Sequence, residues 1–145
     1  MRLTAHTDYA LRMIMHLAVC KDDLVTIADV SEKYDLSKNH LMKVANQLSR
    51  LGYVTAVRGR NGGLRLARPA DRISVGAMVR DLEGHTVLVE CFAAETNQCL
   101  ITPACKLKSI LHQSVEAFYS VLDEYSVADL VQKNLLLHEL IKGAA

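Results

Sequence analysis

The stretch TIADVSEKYDLSKNHLMKVANQLSRLGY, residues 26–53, constrains this chain more than any other. Thr26 followed three residues later by Asp29 is a capping-box-like start for a short helix running to about Lys33. Asp35-Leu36 reads as a turn, and Ser37 as the N-cap of a further helix ending near Leu51. In that second helix Leu41, Val44, Ala45 and Leu48 share one face, while Lys38, Asn39, Lys43, Asn46, Gln47 and Arg50 share the other. Two helices joined by a tight turn, the second polar and basic on its outer surface, predict a helix-turn-helix.

The residues after the second helix extend this pattern. Gly52 stops the helix, Tyr53–Arg58 is short and β-prone, Gly59 to Gly63 form a turn, and Leu64-Arg65-Leu66 alternate as a second strand. A hairpin with Arg60 at its tip, directly behind such a helix, is predicted as a wing. Its glycines allow close approach to a phosphate or entry into a groove, and Arg58 and Arg60 carry the charge. The expected DNA contacts are Ser37, Lys38, Asn39, His40 and Lys43 on the helix, with Arg58, Arg60, Asn61 and Gly62 on the wing.

Charge is distributed to match. The net charge of +1 conceals a segment, residues 38–72, with eight Lys or Arg against Asp71 alone, a balance of +7. The other 110 residues carry nine against fifteen, a balance of −6. One compact basic segment in an otherwise acidic chain is a footprint for a polyanion, double-stranded DNA being the partner expected here. The plainer reading, a solvated basic face, leaves the order of helix, turn and wing unexplained.

Upstream, residues 4–20 read as a helix with Ala10, Met13, Ile14, Leu17 and Ala18 at helical spacing, and with Asp8, Arg12 and His16 as a polar row. Downstream, Ser74 caps a helix through about Glu83, and Gly84 ends it. Thr102-Pro103 opens a long helix, with Thr as N-cap and Pro at the first helical position. Its residues Leu107, Leu111, Ser114, Phe118, Val121 and Tyr125 step by four and three, the spacing of a seam between two copies. Ser126 and Asp129 start a final amphipathic helix. The expected fold is mostly α. Residues 1–84 form a winged helix-turn-helix DNA-binding domain, 85–106 a ligand-binding loop, and 107–145 the dimerisation helices of a homodimer.

Between the two halves lie Cys91, Cys99 and Cys105, with seven and five residues between them. Asp8 and Arg12 interrupt any signal-peptide core, no apolar run is long enough to span a bilayer, and a cytoplasmic location is expected. Thiols stay reduced there, so a metal or redox site is a better reading than a disulfide framework. The spacing is looser than the two to four residues usual for structural zinc, which favours a larger object such as an iron–sulfur cluster. Cys20 follows an apolar run at a helix end and reads as a small core residue, and His85 as a surface residue. The residues alone leave the fourth ligand open among Cys20, His85 and others.

Four stretches carry a resemblance: MRLTAHTDYALRMIMHLA, LSKNHLMKVANQLSRLGYVTAVRGRNGGLRLARP, the cysteine loop ending CLITPACKLK, and AFYSVLDEYSVADLV. Together they resemble the nitric-oxide-sensing members of the winged-helix iron–sulfur regulators. The resemblance implies that Cys91, Cys99 and Cys105 hold a 4Fe–4S cluster, with a 2Fe–2S form as the alternative. It also implies that Asp8 of the partner subunit is the fourth ligand. A related branch places a histidine three positions after the last cysteine, where this chain has Lys108, which cannot substitute. The implied function is a repressor that binds an operator with two half-sites and releases it when nitric oxide attacks the cluster. The rivals are a zinc-holding or thiol-switch winged-helix repressor and a regulator reporting cluster status. An iron–sulfur enzyme is a poorer fit, since the chain shows no nucleophile–base pair and no phosphate-binding glycine motif.

Overall fold

The computed structural model describes residues 2–84 and 87–143, and it is built from helices around one small hairpin. The elements run α1 (Ala5–Val19), α2 (Ile27–Tyr34), α3 (Lys38–Arg50), β1 (Val54–Val57), β2 (Gly63–Leu66), α4 (Val75–Glu83), α5 (Lys106–Asp123), α6 (Val127–Val131) and α7 (Leu135–Lys142). Short 3-10 turns lie at Ala70–Arg72, Glu90–Phe92 and Thr102–Ala104.

Local chemistry sets the boundaries. Thr4 caps α1 by accepting the Thr7 N–H. Thr26 and Asp29 close the capping box expected for α2, and Asp35 ends that helix in the left-handed region at φ 52°. Ser37 occupies the N-cap position of α3, but its side chain makes no capping bond. The strands pair antiparallel with Val54 opposite Leu66 and Val57 opposite Gly63. Val25 adds a further bridge to Leu64, so the start of α2 is tied to the hairpin.

One core gathers these pieces. Met13, Ile14 and Leu17 from α1 meet Val30 from α2, Leu41, Val44 and Leu48 from α3, and Met78 from α4, each at most 1% exposed. The inward face expected for α3 is therefore the buried one. Val127 and Val131 of α6 and Ile141 of α7 join the same core, although the sequence reading grouped them with the dimerisation helices. The final helix is also divided in two. Lys133 takes φ 56°, and Asn134 caps α7 by accepting the Leu137 N–H.

Two further expectations change. His16 does not sit in an exposed polar row. It is 4% exposed and packs edge-on against Tyr34, because α2 lays its last residue over that side of α1. Burial holds its pKa below the ordinary histidine value, with Lys33 adding to the shift. The long helix begins at Lys106, not at Pro103. Thr102–Ala104 is a separate 3-10 turn, and Cys105 is extended at φ −82°, ψ 104°, which makes it the N-cap residue of α5.

α5 packs on α4 through Val115, Phe118, Tyr119 and Leu122 against Val75 and Val79. Gly76 permits the approach, since a Cβ there would collide with the Asp123 side chain. Arg80 then locks the pair, donating two 2.7 Å hydrogen bonds to the Asp123 carboxylate with its guanidinium 4.5 Å from the Tyr119 ring centroid.

Candidate DNA-binding surface and cysteine loop

The helix-turn-helix delivers the expected contact residues to solvent. Ser37, Lys38, Asn39, His40 and Lys43 are all exposed at the N-terminal end of α3. The unengaged Ser37 hydroxyl and the open N-terminal N–H groups are donors suited to a phosphate oxygen. His40 is steadied by an edge contact with Tyr9 of α1, ring centroids 5.7 Å apart. On the wing, Arg58, Arg60 and Asn61 are exposed at the tip. Gly62 has a stricter reason to be glycine than groove entry, because a Cβ there would strike the Val57 carbonyl oxygen and open the hairpin. The ion pairs among the described residues are Arg12–Asp8 and Arg80–Asp123, so none of the eight cations in residues 38–72 is neutralised by one.

The base of the wing is held by Tyr53. Its hydroxyl donates to the Asp81 carboxylate of α4, and the Arg68 guanidinium lies 4.7 Å from its ring centroid. Burial and the hydrogen bond to Asp81 push its pKa up to about 12.

The cysteine loop is organised by its own polar side chains. Glu90 Oε1 accepts the Gln98 N–H at 2.7 Å, and Asn97 Oδ1 accepts the Cys99 N–H at 3.1 Å. Asn97 also donates to the Thr102 hydroxyl, which joins the Cys99 segment to the 3-10 turn before Cys105. Phe92, next to Cys91, stacks at a tilt on His112 of α5 with centroids 5.1 Å apart. Sequence reasoning passed over Glu90, Phe92 and Asn97. Their signal was position alone, flanking the cysteines with side chains able to brace a loop.

Cys91, Cys99 and Cys105 are free and half-buried. Among the described residues no three His, Cys, Asp or Glu side chains converge on one metal-sized point. The three thiols are thus on one loop but not in one closed set, with or without Asp8. His85 lies outside the described residues. The donor chemistry nonetheless suits an iron–sulfur group. All three thiols are unpaired and reachable, and Cys105 is the N-cap residue of α5 with Lys106 and Lys108 just beyond it. Cys20 differs, since burial raises its pKa and it packs against the core as a small apolar residue.

Asp8 is half-exposed in the first turn of α1. It accepts hydrogen bonds from Arg12 Nη2 at 2.7 Å and Nε at 3.2 Å. With the two side chains 46% and 41% exposed, this pair is worth about 0.3–0.5 kcal/mol, too little to withhold Asp8 from another ligand. One residue earlier, Thr7 is fully buried beneath Glu83. The Glu83 carboxylate accepts from the Thr4 N–H and hydroxyl, tying the start of α1 to the end of α4. Burial works against its charge, but the hydrogen bonds from Thr7 and Thr4 outweigh that and hold its pKa below the usual value.

α5 presents an uncovered stripe on the side away from α4. Leu107, Ile110 and Val121 are 58%, 56% and 56% exposed, and Tyr125, just beyond the end of α5, is 47% exposed. Leu100 and Ile101, in the loop just before, are more exposed still. Phe118, expected in the seam, is half-buried against the chain's own α4 face, and Tyr119 is the residue of α5 that is buried outright.

Residues 3–133 match the Rrf2 family, described as iron-dependent transcriptional regulators. The chain is 44% identical over 143 residues to the HTH-type transcriptional regulator NsrR of Geobacillus kaustophilus, covering 98% of this chain and 97% of that one. It is 43% identical to the NsrR of Halalkalibacterium halodurans, covering 98% of each. Among solved structures, oxidized Staphylococcus aureus CymR superposes with a TM-score of 0.74 at 24% identity, over 91% of this chain and 97% of that one. T. potens IscR superposes with a TM-score of 0.73 at 25% identity, over 91% and 87%.

Proposed function

The chain belongs to the Rrf2 family of iron-dependent transcriptional regulators, and from that premise we propose a repressor whose hold on operator DNA depends on an iron–sulfur cluster and ends on exposure to nitric oxide. It acts as a homodimer, presenting two winged helices to two half-sites. Cys91, Cys99 and Cys105 supply three thiolates, and Asp8 of the partner subunit supplies the fourth ligand to a 4Fe–4S cluster, a 2Fe–2S cluster being the alternative. When bound, the cluster supplies the iron with which nitric oxide reacts.

The remaining steps belong to the chain's own residues. A carboxylate would hold cluster iron less firmly than a thiolate does, so Asp8 would be the weakest-held of the four ligands. Arg12 would hold the Asp8 carboxylate when it is unligated, through the two N–H donors that bind it in this structure. α1 carries Asp8 and packs directly on α3, so the state of Asp8 reaches the recognition helix through one rigid element. Lys38, Asn39, His40 and Lys43 read or grip the duplex from α3 while Arg58, Arg60, Asn61 and Gly62 reach it from the wing. The Ser37 hydroxyl is free to bind a backbone phosphate.

One observation carries this reading. Three free, reachable thiols share a braced loop in the same chain as a winged helix whose basic segment has no ion-pair partner among the described residues. The test is operator binding by anaerobically purified protein before and after stoichiometric nitric oxide. Loss of the complex in iron-loaded protein, with no change in iron-free protein, supports the proposal. A zinc-loaded protein that binds DNA and ignores nitric oxide contradicts it.

A further inference from the structure

A second concentration of positive charge lies behind the wing tip. Lys21, at the end of α1, faces Arg65 of β2 and Arg68 across a cleft of about 530 Å³ whose walls also include Thr55, Ala18, Leu66 and Pro69. That volume falls within the range of small-molecule clefts, roughly 300–1,000 Å³. No carboxylate lines it among the described residues. The nearest acidic positions in sequence, Asp22 and Asp71, line two other clefts. None of the three cations is in an ion pair among the described residues. Arg68 is also held in place, because its guanidinium lies over the Tyr53 ring, and Tyr53 is 3% exposed and anchored to Asp81.

We propose that this cleft at the base of the wing is a phosphate-binding site in which Lys21, Arg65 and Arg68 receive one phosphate group. Two guanidinium forks and an ammonium match the oxygens and the charge of a phosphate better than those of a single carboxylate. Stacking on Tyr53 orients Arg68 in advance without occupying the N–H donors that face away from the ring, which lowers the ordering cost on binding. The Thr55 hydroxyl, opposite Arg65 in the hairpin, is a further donor. The inference builds on the reading of the chain as a DNA-binding regulator. The observations favour the sugar–phosphate backbone as the source, since the cleft and the wing tip share one hairpin. A free nucleotide or polyphosphate offers the same group.

The experiment uses the full-length protein with Lys21→Ala, Arg65→Ala and Arg68→Ala, all at exposed positions, and Arg60→Ala as a control at the wing tip. The first arm measures the slope of log K against log salt on a random-sequence duplex of roughly 40 base pairs, about four helical turns. Each cleft variant is expected to reduce that slope by about one. The second arm titrates pyrophosphate calorimetrically. Pyrophosphate binding by the wild type that disappears in the cleft variants, with an unchanged DNA slope, supports the site and assigns its phosphate to a free anion. Full slopes in all three cleft variants and no pyrophosphate binding overturn the proposal. A slope that falls in Arg60→Ala alone, with no pyrophosphate binding, leaves the regulator reading intact while removing this site. A flat wild-type slope instead removes the DNA-binding premise, and pyrophosphate alone then decides.

Discussion

The winged-helix half and the segment made of the cysteine loop and α5 differ in how much each finishes by itself. In the first, α1 to α4 converge on a core whose central side chains are at most 1% exposed, and α1, α2 and α4 each carry a side-chain cap. In the second, 18 residues of α5 bury a single side chain outright, Tyr119, and leave Leu107, Ile110 and Val121 more than half exposed. The loop in between keeps three unpaired thiols. The two surfaces differ in chemistry: an apolar stripe is suited to a second copy, and soft thiols are suited to a soft metal group.

The largest expected contrast comes from truncating one leucine on each side. Leu48→Ala, at a fully buried position, should lower unfolding free energy by about 2–5 kcal/mol by the cavity it leaves. Leu107→Ala, at an exposed one, should cost under about 0.5 kcal/mol in dilute protein and more as the concentration rises. Chemical denaturation at two protein concentrations reads both. A concentration-independent cost for Leu107→Ala would mean that the stripe is covered within the chain.

Next in size is Val121→Asp, placed on the stripe and away from α4. It should shift the protein to monomers in sedimentation while leaving the helical signal and the winged-helix melting transition in place. Phe118→Asp is a poorer probe, because Phe118 also packs against the chain's own α4 face. Smaller again is the capping box of α2. Thr26→Ala should cost about 1 kcal/mol and should be felt at α3, which α2 supports.

The smallest effect is a pH dependence at Tyr53. Its folded pKa is raised from 10.0 to about 12, so its contribution is complete below pH 10 and is lost as pH rises through about 12. Tyr53→Phe should therefore flatten the alkaline fall in stability between those values, as followed by thermal melting. An unchanged alkaline slope would show that the Tyr53–Asp81 link contributes nothing there.

The same divide explains which features were legible in the sequence. Caps and periodicities act over three or four residues, so Thr26, Ser74, Gly84 and the inward face of α3 could be read directly. His16 could not, because its burial depends on where α2 sets Tyr34 against α1. Thr102-Pro103 carries a genuine helix-start signal, but the turn it opens is 3-10 and is interrupted at Cys105, whose extended backbone sets the helix back to Lys106. The division between α6 and α7 had a local clue in Lys133-Asn134, outweighed by the amphipathic pattern running through it. The three cysteines were legible as type and spacing and Asp8 only through the family resemblance, while among the described residues no three such side chains converge on one point.

The central claim is that three loop cysteines and Asp8, not Cys20, hold a cluster that links two subunits. Iron and sulfide counts on anaerobically purified variants test it most directly. Cys91→Ala, Cys99→Ala and Cys105→Ala should each lose the cluster, and Cys20→Ala should retain it in full. Asp8→Ala should keep most of its iron while losing more operator affinity than iron. Equal iron loss in Cys20→Ala and Cys91→Ala, with Asp8→Ala unchanged in both iron and operator affinity, would contradict the account.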